Sequence, residues 1–133
     1  MKLPHWLGGV PETSNHLTRG KRAEDLAEKY LKRHGLTILE RNYRCRMGEV
    51  DLIADEHGTL VFVEVRLREE REGNDFGGAA ASITPAKQRR IVKAAQHYLS
   101  GRKELPPCRF DAVLLDSLDT GTPEWIKGAF DAS

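Results

Sequence analysis

Apolar residues recur along two segments of the chain at the spacing of an α-helix. The first runs from about Arg19 to His34 and is followed by Gly35, a common helix stop. Its apolar positions i, i+3, i+4, i+7 and i+8 are Ala23, Leu26, Ala27, Tyr30 and Leu31. The second begins at Thr84-Pro85, a capping residue followed by a first-turn proline, and ends near Gly101. Both segments are predicted to be helices with one buried face.

Four other segments show the short apolar runs and the alternation that are typical of strands. They are Leu36 to Tyr43, about Glu49 to Ala54, Leu60 to Leu67 and Arg109 to Leu115. The polar turn of residues 55–58 predicts a hairpin between the second and third strands. A last apolar segment, Trp125-Ile126 with Ala129-Phe130, is expected to cover an edge or a face of the sheet. This order of elements predicts an α/β or α+β layered domain.

The remaining segments lack periodicity. Residues 1–17 mix Pro, Gly, Ser and Asn and are interpreted as a flexible N-terminal arm, which leaves 18–133 as one domain. Residues 68–82 are charged and then rich in Gly and Ala, and we expect a mobile loop there. No apolar run approaches the roughly 20 residues that cross a bilayer. We therefore expect a cytoplasmic protein that does not contact membranes.

Carboxylates interrupt the second and third predicted strands. Glu49 and Asp51 share one face of the second strand, and Glu64 and Arg66 share one face of the third. If both faces turn inward, three carboxylates converge, and cations, protons or hydrogen bonds have to neutralise them. Oxygen ligands favour Mg²⁺ or Mn²⁺, whereas zinc is disfavoured because no His or Cys joins the cluster. The alternative is a structural ion pair between Glu64 and an arginine, without a catalytic role.

Several features occur together: a GE-x-D strand, a hairpin-length turn, an apolar strand with E-x-(basic), and a helical glutamate upstream. This combination resembles the PD-(D/E)xK nuclease superfamily, and more closely the YraN-like family, which is related to archaeal Holliday-junction resolvases. The resemblance covers about Gly20 to Phe130 and implies a restriction-endonuclease-like domain with a central mixed β-sheet flanked by α-helices. Its most specific residues are Glu24, Asn42, Gly48–Ile53, Val61–Val65, Arg68, Lys87, Arg109–Asp111 and Ala129–Phe130.

The resemblance also implies roles for individual residues. Asp51 and Glu64 would be metal ligands together with the backbone carbonyl of Val65, and Glu49 would be a further ligand or would support the ligands. Glu24 would approach from the first helix as another acid. The implied protein is a Mg²⁺- or Mn²⁺-dependent nuclease that hydrolyses phosphodiester bonds in structured or branched DNA. The resolvase relatives also suggest a homodimer.

The sequence departs from the superfamily pattern at Arg66, where the superfamily has lysine. Arginine keeps the positive charge, but with a pKa above about 12 it cannot accept a proton near neutrality. Arg66 either substitutes in part for the lysine or forms an ion pair that holds Glu64 away from a metal. Lys87 could supply an amine from the second helix. Two alternative functions stay open: a nucleic-acid-binding module that has lost catalysis, and a protein-interaction domain on a nuclease fold.

Basic residues flank the acidic centre, although the net charge is only +1. Residues 18–46 contain nine Lys/Arg against four Asp/Glu, and residues 87–103 contain six Lys/Arg and no acid. Such segments suit a polyanion that is held by its phosphates, and solvated helix faces are the alternative interpretation. The predicted phosphate contacts are Arg41, Arg44, Arg46, Arg68, Lys87 and Arg90, with Arg89 and Lys93 nearby on the second helix. Phe76 is a candidate for stacking on a base.

Overall fold

The structure, a computed structural model, describes residues 11–68, 83–119 and 121–132. Residues 1–10 of the predicted arm lie outside the described residues. The predicted loop also lies outside them, except for residue 68, and so does Phe76.

The described strands form one five-stranded sheet in the order β1-β2-β3-β4-β5. Their bounds are β1 Thr37–Cys45, β2 Gly48–Glu56, β3 Thr59–Leu67, β4 Cys108–Leu115 and β5 Glu124–Phe130. The pair β3 and β4 is parallel, and the other neighbours are antiparallel. Helix α1 spans Pro11–Arg33, and helix α2 spans Pro85–Leu99 in the connection between the two parallel strands. The prediction of a mixed sheet with flanking helices is confirmed, and this α+β domain is consistent with a restriction-endonuclease-like fold.

The two helices cover opposite faces of the sheet. Ala23, Ala27 and Leu31 of α1 pack in one buried cluster with strand residues such as Val61 and Val63. On the other face, α2 contributes its buried residues Ile91, Ala94 and Ala95 to a cluster with Phe62, Phe110 and Leu114. The periodic apolar positions of the sequence therefore form the two cores of a helix–sheet–helix sandwich. None of the helices in the described ranges is long and apolar enough to pass through a bilayer.

Two segments differ from the sequence prediction. Helix α1 begins at Pro11 and not at about Arg19, so the described part of the predicted arm is helical. Proline suits the first turn of a helix, and apolar spacing, the signal used for prediction, is missing from this first part of α1. The last apolar segment is the edge strand β5. Its alternation is obscured because Gly128 has a positive φ of 65° and the pairing with β4 shifts register there.

Strand β2 separates from β3 near Asp51. The pairing of β2 with β3 ends at Leu52 and Val63, whereas β2 stays paired with β1 as far as Gly48. Val50 packs in the cluster beneath α2, whereas Leu52 packs in the cluster beneath α1. Regular alternation, which placed Glu49 and Asp51 on one face, therefore does not hold through this part of β2. The result is a gap between β2 and β3, with Asp51 on one side and Glu64 on the other.

Candidate metal centre

Glu64 is a buried acid in the middle of an apolar strand, with only 3% of its surface exposed. It follows Leu60 and Phe62 on the face of β3 that α2 covers. The pKa of Glu64 is raised to about 8. Burial is the main cause, and the charge of the neighbouring Asp51 carboxyl adds to the shift in pKa. Near neutrality, Glu64 therefore holds a proton unless a cation takes its place.

Asp51 lies across the gap from Glu64 and is fixed by the backbone of β3. The Val65 N–H donates a hydrogen bond of 2.8 Å to Asp51 Oδ2. Burial raises the pKa of Asp51 and is the largest effect, the Val65 hydrogen bond opposes it, and the charge of Glu24 adds to it. Asp51 is also influenced by Lys87 on α2, so charges from both helices reach the gap.

Val65 presents its backbone to this gap. The Leu60 and Arg68 amides donate to the Pro107 and Leu115 carbonyls on the β4 side. Since backbone groups of successive residues point to opposite edges of a strand, the N–H and the C=O of Val65 both face β2. The carbonyl that the resemblance implied as a ligand is therefore at the same edge as Asp51.

Two basic side chains approach one oxygen of Glu64. Lys87 Nζ is 3.6 Å from Glu64 Oε2, and Arg66 Nη1 is 4.0 Å from the same atom. The first turn of α2 fixes Lys87, because its N–H donates to the Thr84 cap hydroxyl at 3.1 Å. The arginine side chain is 41% exposed, against 28% for the lysine.

The donor set suits a hard divalent cation with several water ligands. Mg²⁺ is commonly bound by one or two carboxylates, with waters and substrate phosphate in the other positions. The partly buried Asp51 and the buried Glu64 both have raised pKa values because their charged forms are poorly compensated, which favours a cation between them. The described residues contain no group of three or more His, Cys, Asp or Glu side chains arranged to hold a metal. Asp51, Glu64 and the Val65 carbonyl are oxygen donors of the kind that Mg²⁺ or Mn²⁺ takes.

The two other predicted acids lie beside this centre and do not complete a cluster of three. Glu24 Oε1 accepts hydrogen bonds from Asn42 Nδ2 at 3.0 Å and from Arg41 Nη2 at 3.3 Å. Glu49 is opposite Arg44 in the β1–β2 register and pairs with its Nε at 3.3 Å. Glu24 thus influences Asp51 electrostatically, and Glu49 belongs to a partly exposed ion pair.

Comparison with known proteins assigns a family. The model of the "Uncharacterised protein family UPF0102" matches residues 23–115, which include both acids of the centre. The chain belongs to this family. A UPF0102 protein of Nitrosomonas europaea is 53% identical over 115 residues, covering 86% of this chain and 95% of its own. A UPF0102 protein of Cupriavidus taiwanensis is 56% identical over 115 residues, with 86% and 83% covered. One of Ralstonia nicotianae is 49% identical over 123 residues, with 91% and 92% covered. The YraN-like part of the sequence resemblance is confirmed by this membership.

In this UPF0102 chain, four of the six predicted phosphate contacts have carboxylate partners. Arg41 binds Asp25 at 2.8 Å, Glu28 at 2.9 Å and Glu24 at 3.3 Å, and these carboxylates raise its pKa. Arg44 pairs with Glu49. Arg68 pairs with Asp116 at 2.9 Å and with Glu124 at 3.5 Å. Lys87 lies at Glu64, whereas Arg46 and Arg90 are exposed.

Sequence reasoning gave no role to Asp111, which is fully buried in β4. Its carboxylate accepts hydrogen bonds from Arg109 Nε and Nη2, from Trp125 Nε1 and from the Gly128 N–H, at 2.8 to 3.0 Å. Arg109 in turn donates to Glu56 at 2.7 Å. The available signal was an acid inside an apolar strand, directly after Arg109-Phe110. Asp111 joins β4 to β5 and is a structural counterpart to the acids of the metal centre.

Proposed function

We propose that this UPF0102 protein is a metal-dependent nuclease of the PD-(D/E)xK superfamily, acting on phosphodiester bonds of structured or branched DNA. The observation that carries the proposal is the pair of the partly buried Asp51 and the buried Glu64 at the gap between β2 and β3, where the Val65 backbone and two carboxyls face one another. The motif order around this pair supports the superfamily assignment. The resolvase resemblance also supports a homodimer, which sedimentation equilibrium of the purified protein would test.

When bound, Mg²⁺ or Mn²⁺ would lower the pKa of a coordinated water and neutralise charge on the phosphate. Asp51 and Glu64 would hold the ion with the Val65 carbonyl. The Val65 N–H fixes the Asp51 carboxylate in orientation, and burial excludes bulk water from Glu64. Lys87 and Arg66 place positive charge beside Glu64, where a phosphate oxygen would also be attracted.

The contacts of Arg66 help to decide between a nuclease and a nucleic-acid-binding module that has lost catalysis. Its guanidinium contacts Glu64 only at 4.0 Å and is 41% exposed, and such a pair is weak. This favours a Glu64 that is available to a metal over one held in an ion pair. The amine of Lys87 is closer to Glu64, at 3.6 Å, and a lysine is the residue type that the superfamily pattern has at this centre. These two contacts favour catalysis over binding alone.

The decisive experiment compares cleavage of a panel of labelled DNAs: four-way junction, flap, single strand and duplex. Wild-type protein is expected to cut at least one of them with Mg²⁺ or Mn²⁺, and Asp51→Asn and Glu64→Gln are expected to remove the activity. Asp119→Asn is the matched control, because it makes the same substitution at an exposed ion pair with Arg22. Cleavage that persists in both site variants, or no cleavage by the wild type, would contradict the proposal.

A further inference from the structure

Four exposed cations without an acidic partner among the described residues lie on one surface that includes α2. Arg46 lies in the turn between β1 and β2, and Arg89, Arg90 and Lys93 lie on α2. All four side chains are exposed, and within the described ranges none of them forms an ion pair. We call these four residues the α2–turn surface. They contrast with Arg41 and Arg44 on β1, whose charges are compensated.

Close backbone packing fixes the two parts of this surface relative to each other. Gly48, which directly follows the turn, lies so close to the Arg90 carbonyl that a Cβ at this position would overlap it. A groove of about 580 Å³ runs between the turn and the helix and is lined by Cys45, Arg46, Met47, Lys93 and His97. Arg46 and Lys93 therefore border the same groove, although they are far apart in sequence.

The α2–turn surface begins next to the metal centre. Lys87, in the first turn of α2, is at Glu64, and Lys93 follows six residues later, about 9 Å along the helix axis. A strand whose scissile phosphate lies at the Asp51–Glu64 pair could continue along α2 toward Arg46. The first turn of α2, which is the positive end of its helix dipole, carries Lys87 beside Glu64 and adds to the attraction for phosphates.

We propose that the α2–turn surface binds the phosphate backbone of the nucleic acid beside the cleavage site, and that the β1 arginines Arg41 and Arg44 do not take part. This inference deepens the proposed function and rests on it for the position of the scissile bond. Four cations held on rigid elements match a polyanion with regularly spaced charges. An anionic membrane fits less well, because membrane-surface helices insert an apolar face and the apolar face of α2 is buried against the sheet.

Charge reversal on this surface tests the inference. Arg90→Glu/Lys93→Glu is compared with Lys29→Glu/Arg33→Glu, which changes the net charge equally at exposed positions of α1, on the opposite face of the sheet. Binding of a labelled junction and a labelled duplex is measured by fluorescence anisotropy in EDTA over a range of salt concentrations. The α2 variant is expected to bind at least about tenfold more weakly, with a salt slope reduced by about two. The α1 variant should stay within about twofold of the wild type at moderate salt.

The outcomes separate this inference from the proposed function. Equal losses in the two double variants, or no binding by the wild type at low salt, would overturn it. Binding to anionic vesicles or polyglutamate, but not to DNA, would also overturn it. If the wild type binds DNA through the α2–turn surface and cuts none of the panel, the binding surface stands and the nuclease proposal fails. Arg90→Gln/Lys93→Gln gives a milder second variant should charge reversal impair folding.

Discussion

Lys87 Nζ lies 3.6 Å from Glu64 Oε2, so α2 brings an amine to a centre whose own strand carries an arginine. Arg66 reaches the same oxygen only at 4.0 Å and is more exposed. Of the two cations, the lysine therefore lies closer to Glu64 and is less exposed to solvent. Under the proposed function, we expect Lys87 to take the part that the superfamily pattern gives to a lysine at position 66.

The first prediction compares the two cations. Lys87→Met is expected to slow single-turnover cleavage by about 100-fold or more, because it removes the cation nearest to Glu64, and Arg66→Met by about tenfold. Lys87→Arg, which keeps the charge, serves as the control and should not restore the rate. Full activity in Lys87→Arg would mean that only positive charge is needed, and a larger effect at Arg66 would reverse the assignment. Rates measured over a range of pH would show whether an ionisation is lost with the lysine.

The second prediction couples metal binding to proton release. Because the pKa of Glu64 is raised to about 8, a divalent cation has to displace a proton near neutrality. Affinity for Mn²⁺ is expected to rise with pH until about pH 8 and then to level off. Isothermal titration calorimetry in two buffers of different ionisation enthalpy should show about one proton released at neutral pH. Glu64→Gln should abolish this release, and identical heats in the two buffers for the wild type would refute the coupling.

A third prediction concerns the stability of the metal-free protein. The pKa of Glu64 is higher in the folded chain than its ordinary value of 4.5, so the unfolded chain loses this proton first as the pH rises. The contribution of protonated Glu64 to the free energy of unfolding is therefore fully present below about pH 4.5 and is lost as the pH rises to about 8. The free energy of unfolding changes over this range by at most roughly 1.4 kcal/mol per pH unit. Urea denaturation in EDTA at several pH values measures it. The difference between wild type and Glu64→Gln isolates Glu64, and a difference that does not change with pH would contradict the expectation.

The helices and strands could be predicted because their signals are local. The apolar spacing of α1 and α2 and the alternation of β3 and β4 depend on neighbours a few residues apart. The early start of α1 could not be predicted, since apolar spacing does not mark its first turns. Strand β5 was obscured for a different reason: Gly128 interrupts the alternation where the register shifts.

The candidate site was predictable in part. Asp51 and Glu64 could be paired from their motifs, because a hairpin-length turn brings their strands together. The partner of Glu49 depends on strand register, because Arg44 of β1 lies opposite Glu49 of β2. The partners of Glu24 depend on tertiary packing, because Arg41 and Asn42 of β1 donate hydrogen bonds to this residue of α1. The prediction assumes regular alternation along β2, so it could not show that β2 separates from β3 on the N-terminal side of Leu52.

The fourth prediction concerns Asp111 as a structural acid. Asp111→Ala removes the buried acceptor that Arg109, Trp125 and the Gly128 N–H share, and so takes one partner from each of these partly buried or exposed donors. Breaking a buried, hydrogen-bonded ion pair in this way typically lowers the free energy of unfolding by about 3–5 kcal/mol. Chemical denaturation measures the change. Asp116→Ala is the control, because this exposed acid pairs with Arg68 at the surface and should lower the free energy of unfolding by less than about 1 kcal/mol. Similar effects at the two positions would show that Asp111 is not the link between β4 and β5.

The fifth prediction uses two glycines that differ in their surroundings. A Cβ at Gly48 would overlap the Arg90 carbonyl, so Gly48→Ala is expected to push α2 away from β2 and to lower the free energy of unfolding by about 1–3 kcal/mol. Gly20 lies in α1 with open space around it, and Gly20→Ala should raise the free energy of unfolding by about 0.5–1 kcal/mol because alanine favours a helix. Thermal and urea denaturation of both variants provide the measurement.

Since the same contact joins the β1–β2 turn to α2, Gly48→Ala should also weaken DNA binding while Gly20→Ala leaves it unchanged. A stable Gly48→Ala protein with normal DNA affinity would show that the α2–turn surface does not depend on this backbone contact.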